Sequence, residues 1–259
     1  MRVLYGANTD MGRVNAISAG GPPVASINTA HFTIGAVPTL GEFGPKVVQA
    51  LALRCESDRN FLESWFGLSI PHFDIIAAPL SPYFDGQGGA FHQSCSATAL
   101  YCDVEIVPSF HPERTGALAV AEMVEVYEDK QGGGWDCGKS NGEGLSRVLA
   151  AALYPGVMDD YAVAPAWLNS YRPDYVNVTG PSDTDTLSVA CSVIFLNYLR
   201  YVLQYGWNQI CQGADATLAG TYQKLTGDQN DPFPHFKALL DAKFPPGQQV
   251  QLQTDNPWA

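Results

Sequence analysis

Histidine and basic residues are scarce: 5 His and 14 Lys plus Arg stand against 26 Asp plus Glu, for a formal charge of -12. A surface of that sign repels phosphate backbones and anionic headgroups, which argues against a nucleic-acid partner. No apolar run approaches the roughly 20 residues that a membrane-spanning helix needs. The most apolar stretch, 187–203, is interrupted by Asn197 and Arg200. The opening Met1-Arg2-Val3-Leu4-Tyr5 lacks the basic segment, apolar stretch and cleavage site of a secretory signal. The expectation is a soluble protein with no membrane span, either cytoplasmic or secreted after removal of a leader absent from this sequence. Six cysteines spread over 259 residues are too thin for a disulfide-dense mini-protein, and free buried thiols are expected. No Gly-x-Ser-x-Gly elbow occurs, and Gly86-Gln87-Gly88-Gly89 lacks the Lys and Ser/Thr of a phosphate loop.

Hydrophobic residues make up 46% of the chain and charged residues 15%, a composition for an ordered globular protein with a substantial core. Periodicity predicts strands at 31–37 and 73–78, a long helix at 43–66, a Pro- and Gly-rich surface loop at 79–89 and an interrupted strand at 90–107. Helices are predicted at 115–129 and 142–154, separated by Gly132-Gly133-Gly134. Beyond Pro155 only helices are predicted, at 158–170, 186–204, 206–212, 214–226 and 233–243, with N-cap candidates at Ser182, Asp183 and Asp185. The tail from Pro245 is expected to be loosely ordered. The fold class is therefore α+β: a small sheet with helices over 1–155, then an all-α subdomain over 156–259.

Two segments carry the chemistry. Ala121-Glu122-Met123-Val124-Glu125 lies in the first helix after the strands, and Asn141-Gly142-Glu143-Gly144-Leu145-Ser146-Arg147 opens the next. The order strand, helix, strand, strand, then two helices resembles the zincin metallopeptidases. The first segment sits where their H-E-x-x-H helix runs, with Glu122 at the Glu and Ala121 and Glu125 at the two His. In that motif the His pair faces one zinc ion and the Glu polarises its bound water. Glu143, 18 positions beyond Glu125, resembles the third ligand of the gluzincin branch, the thermolysin-like and aminopeptidase-like enzymes. Arg147 stands where thermolysin-like enzymes carry a supporting Asp. The chain also resembles a group of microbial proteins that share A-E-x-x-E, the run from Trp135 and Cys137 to Arg147, and a late Ser188, Cys191 and Phe195-Leu196-Asn197-Tyr198-Leu199. That second resemblance implies no activity.

With the His pair missing, Glu122, Glu125 and Glu143 would converge as like charges, raising one another's pKa or demanding a cation. Arg147, one turn after Glu143, can bridge two carboxylates and stand in for the ion. It is expected within hydrogen-bond distance of Glu143 and of Glu122 or Glu125. The competing reading makes Glu122 and Glu125 an exposed helix face. His92 follows two glycines that allow a ligand backbone close, and it could join Glu125 and Glu143 around a metal; the other four His are assigned structural roles. Trp135 either lines the cleft or anchors helix packing. Cys95, with His92 near it, is a weak candidate nucleophile.

The leading expectation is a non-catalytic, zincin-like binding protein without cofactor, with a cleft for peptide or carbohydrate formed by His92, Glu122, Glu125, Trp135, Glu143 and Arg147. The first alternative is a hydrolase with Glu122 as general base and a divalent ion, such as calcium, magnesium or manganese, on Glu125, Glu143 and His92. The second is a defence or storage protein with a relic cleft.

Overall fold

The computed structural model describes residues 25–80, 89–104 and 110–259. The first 24 residues, most of the loop expected at 79–89 and the end of the strand expected at 90–107 lie outside them. Strands β1 (Ala25–Asn28), β2 (Phe32–Ala36), β3 (Phe73–Ala78), β4 (Ala90–Phe91) and β5 (Ala99–Asp103) form one sheet in the order β1-β2-β3-β5-β4. The three inner strands are parallel, and β1 and β4 run antiparallel at the two sides. Phe32, Ile34 and Ala36 on β2, Phe73, Ile75 and Ala77 on β3, and Leu100 and Cys102 on β5 are buried at the two-residue spacing of a strand, so they share one face. Helices α1 (Phe43–Phe66) and α2 (Pro112–Gln131) pack on the sheet and on each other. A smaller cluster, Ala78, Leu80, Phe91 and Tyr101, includes the stacked rings of Phe91 and Tyr101.

Helix α1 and strand β3 have the bounds that periodicity predicts. Val47, Leu51, Cys55, Leu62 and Phe66 form the buried stripe of α1, and Gly67 ends the helix at φ 71°, a left-handed conformation that glycine adopts without steric cost. Residues 90–107 differ from expectation. They do not form one strand, because after Phe91 the chain turns back through a bond from Ala97 N to Ser94 O and re-enters the sheet as β5, antiparallel to β4. Ser94-Cys95-Ser96 has no alternation of apolar and polar residues to hold it in a sheet.

Helix α3 (Ser140–Leu153) lies between α2 and α5 (Thr186–Asn197), which continues as a π turn, Tyr198–Val202. A side chain at Gly144 would put its Cβ 2.6 Å from Cβ of Ser192, so glycine is what lets α3 approach α5 so closely. Helix α5 is buried on nearly every side, and Asp185 caps it by accepting from Leu187 N. The helix expected at 158–170 is instead a 3-10 turn, Asp159–Tyr161, followed by the short α4 (Ala164–Leu168). Pro165 lacks an N–H and fits only the first turn of a helix, so α4 has to begin beside it. Helices α6 (Trp207–Gln212), α7 (Leu218–Thr226) and α8 (Phe233–Lys243) complete the chain.

The tail also departs from expectation: it is pinned. Asp255 Oδ1 accepts from Val163 N and Ala164 N at 2.7 and 2.8 Å, Asn169 and Val250 exchange two hydrogen bonds, and the Trp258 indole N–H donates to Ile194 O. One apolar core runs from Phe32 on the sheet to Val250 in this tail. No helix among the described residues is long and apolar enough to cross a membrane.

Candidate functional site: a buried acid and histidine centre

Helix α2 is enclosed by the sheet, α1 and α3, so its residues from Thr115 to Glu128 are buried all round. Glu122, Glu125 and Glu128 recur every third residue, which places them along one flank of the helix. Their exposures of 2%, 2% and 0% exclude the reading of an exposed charged face. Helix α3 supplies Glu143 and Arg147, the turn after β4 supplies His92, and the segment before α5 supplies Asp183, all of them buried.

His92 Nε2 lies 2.9 Å from Glu125 Oε2 and 3.8 Å from Glu122 Oε2. Its Nδ1 is 3.3 Å from the carbonyl of Ala97. A carbonyl can only accept, so Nδ1 carries a proton and Nε2 faces the acids. Arg147 Nε donates to Glu143 Oε1 at 2.6 Å, as expected, but its Nη1 donates to Tyr161 O at 3.0 Å and it makes no hydrogen bond to Glu122 or Glu125. The expected double bridge is thus corrected: an i, i+4 pair on α3 keeps the guanidinium with Glu143, and the His92 imidazole is the group that meets Glu125. Glu122 Oε2 and both carboxylate oxygens of Glu128 have no hydrogen-bond partner among the described residues.

Burial, and after it the charges of Glu125, Glu143 and Asp183, push the Glu122 carboxyl well above the usual range. Glu128 is raised for the same leading reason, helped by Glu125, Glu143 and Asp136. Burial lifts Glu143 to about 8 against the opposing pull of Arg147. These groups hold protons in the folded state that the unfolded chain releases near its ordinary carboxylate range. Their contribution is fully present below that range and is lost as pH rises through the raised values, which for Glu143 means toward 8. Glu56, held down to about 2 by its bonds to Thr29 and His31 against the opposing effect of burial, acts oppositely and loses its contribution as pH falls from 4.5 to 2. Thermal denaturation followed across pH should give maximal stability in mild acid and a steady decline to pH 8; a flat profile from pH 5 to 8 would contradict the protonated centre.

Cys95 and Cys137 form a disulfide with Cα atoms 6.0 Å apart, while Cys55, Cys102, Cys191 and Cys211 are buried free thiols. The expectation of free thiols thus fails for one pair, and Cys95 is no free nucleophile. The bond ties the turn after β4 to the α2–α3 connection. It also places the Cys137 sulfur beside the centre: one ligand atom each from His92, Glu125 and Cys137 lie within 4.8 Å of one another. Trp135 is buried, and its indole N–H donates to Cys211 O. It also borders a hollow of about 410 Å³ at the α2–α3 turn, lined further by Glu128, Asp129, Asp136, Lys139 and Asn141, with Cys95 and Cys137 on its wall. His92, Glu122, Glu125 and Glu143 do not line this hollow.

The zinc set of the family that the sequence resembles does not fit here. Ala121 offers no donor, and Glu125 puts a carboxylate where an imidazole would be. No known protein family matches the chain, and no characterised protein matches it in sequence. Sequence reasoning missed Glu128, Asp183 and Cys137. Glu128 could have been found by extending the three-residue row from Glu122 and Glu125 one step; Asp183 and Cys137 carry no local signal, since both reach the centre through the tertiary fold.

Proposed function

We propose that the protein is a non-catalytic, zincin-like binding protein whose ligand seat is the acidic hollow at the α2–α3 turn, and that it takes peptides presenting an ammonium or guanidinium group. The observation that carries this is Glu128: fully buried, both oxygens without a hydrogen-bond partner, and bordering a hollow with Asp129 and Asp136 on its sides. A cation entering there meets a carboxyl group already stripped of water, and Trp135 adds an aromatic wall suited to cationic and planar groups. The strand and helix order supports the zincin-like scaffold, and the missing His pair supports the loss of its catalysis. Binding of a cation would expel the Glu128 proton, so affinity should rise with pH.

Calorimetric titration with lysine- and arginine-containing peptides, beside neutral oligosaccharides, tests the reading. Glu128→Gln should weaken basic-peptide binding about 10–100-fold, the range for a hydrogen bond to a charged group. Equal affinity in the variant, or preference for the sugars, would sink it. A second reading, a metal-dependent hydrolase, is favoured by the convergence of His92, Glu122 and Glu125. It predicts stoichiometric metal in protein dialysed without reductant, lost in Glu143→Ala, whereas a binding protein shows none in either by elemental analysis and no peptidase activity on adding zinc.

A further inference from the structure

The geometry points to a second state of the buried centre: a mononuclear zinc site made by His92, Glu125 and Cys137 once the Cys95–Cys137 disulfide is reduced. All three residues are buried with their ligand atoms within 4.8 Å of one another. One imidazole, one carboxylate and one thiolate form a donor set suited to Zn2+. Bonds of about 2.0–2.3 Å in a tetrahedral site put donors about 3.3–3.6 Å apart, so side-chain shifts of about 1 Å close the cluster. Two further observations point to a cation here. Glu122 Oε2, buried and without a hydrogen bond, stands 3.8 Å from His92 Nε2, placed to be the fourth donor. The bond of Nδ1 to Ala97 O fixes the imidazole with Nε2 toward the acids, the outer hydrogen bond that orients a metal-binding histidine.

With the disulfide intact, the Cys137 sulfur carries no charge and binds zinc poorly. Cys95 is the more exposed of the two sulfur-bearing residues, and both border the hollow, which gives a reductant access. A thiolate of a small or protein dithiol attacks Sγ of Cys95, and the electron pair of the S–S bond leaves on Cys137. The second thiol of the reductant gives up its proton and attacks the mixed disulfide, which releases Cys95 as a thiol and the reductant as its own disulfide. Two electrons and two protons pass to the protein. Zn2+ then binds Cys137 as thiolate, displacing its proton, and takes the Nε2 lone pair of His92 and a carboxylate oxygen of Glu125. Its charge offsets the surplus of acids that Glu122, Glu125, Glu143 and Asp183 bring together.

This inference goes beyond the binding role and fails independently of it, since that role is read through Glu128. The test uses the full chain and cobalt(II) as a spectroscopic stand-in for zinc. Protein reduced with a phosphine and desalted should bind one equivalent, with a thiolate-to-cobalt charge-transfer band and the intense visible bands of a tetrahedral ion; oxidised protein should show neither. Cys95→Ser, which leaves Cys137 as a thiol without reductant, should bind cobalt at once with the same spectrum. Cys137→Ser and His92→Gln should each weaken binding at least tenfold, and zinc should compete cobalt away. Absence of the charge-transfer band in both reduced protein and Cys95→Ser, checked as folded by circular dichroism, would overturn the proposal. Equal binding by oxidised protein would do the same.

Discussion

Arg147→Ala is expected to destabilise the protein by about 3–5 kcal/mol above pH 8, where Glu143 has given up its proton and the buried pair is ionised, the loss typical when one partner of such a pair is removed. Arg147 and Glu143 are both at least 95% buried and 2.6 Å apart, and the guanidinium also satisfies Tyr161 O. Its charge further steadies Asp255, whose carboxylate holds the start of α4. The loss should depend on pH. Without the guanidinium, Glu143 keeps its proton to higher pH, so the penalty is smaller in mild acid and grows as pH rises through and beyond 8. Urea unfolding at the two ends of that range measures it. Adding Glu143→Gln to Arg147→Ala should recover part of the loss, since it removes the group left without a counter-charge. A loss under about 1 kcal/mol would place the pair among surface ion pairs and contradict its burial.

Removing the Cys95–Cys137 disulfide should cost about 4 kcal/mol, the chain-entropy value for a closed loop of this length. The two residues are 42 apart in sequence, and the loop they close contains β5 and all of α2, the helix that carries three of the buried acids. The double substitution to alanine, compared with the oxidised parent by urea denaturation, gives the effect free of any metal. Zinc added to reduced parent should return part of the loss by mass action, and added to the double variant should return nothing. An unchanged denaturation midpoint in the double variant would mean that the unfolded chain is already restricted by other contacts.

How legible these features were in the sequence depended on how local their causes are. Helix α1, strand β3 and helix α8 have the bounds that periodicity predicts, because amphipathic spacing and nearby Gly or Pro residues determine them within a few positions. Glu122, Glu125, Glu143 and Arg147 could be picked out as a converging constellation from spacing, but the completeness of their burial could not, because it depends on the helix and sheet that cover them. The preference of Arg147 for Tyr161 O, and of His92 for Glu125, follows from side-chain placement in the packed protein, which spacing alone does not encode. The disulfide and the pinned tail share the same cause: their partners are 42 to more than 90 residues apart, and composition carries no record of such pairings.

Helix α3 is packed against α2 on the sheet side and against α5 in the helical half, and it carries Glu143 and Arg147. A proton or cation held at Glu143 therefore braces a helix that both halves share. Occupancy at Glu143 should slow amide exchange in α5 as well as in α2, through the packing of α3 on both. The close seat of Gly144 on Ser192 leaves α3 little freedom to shift without dragging α5 along, so the two halves would sense a change at the site as one body.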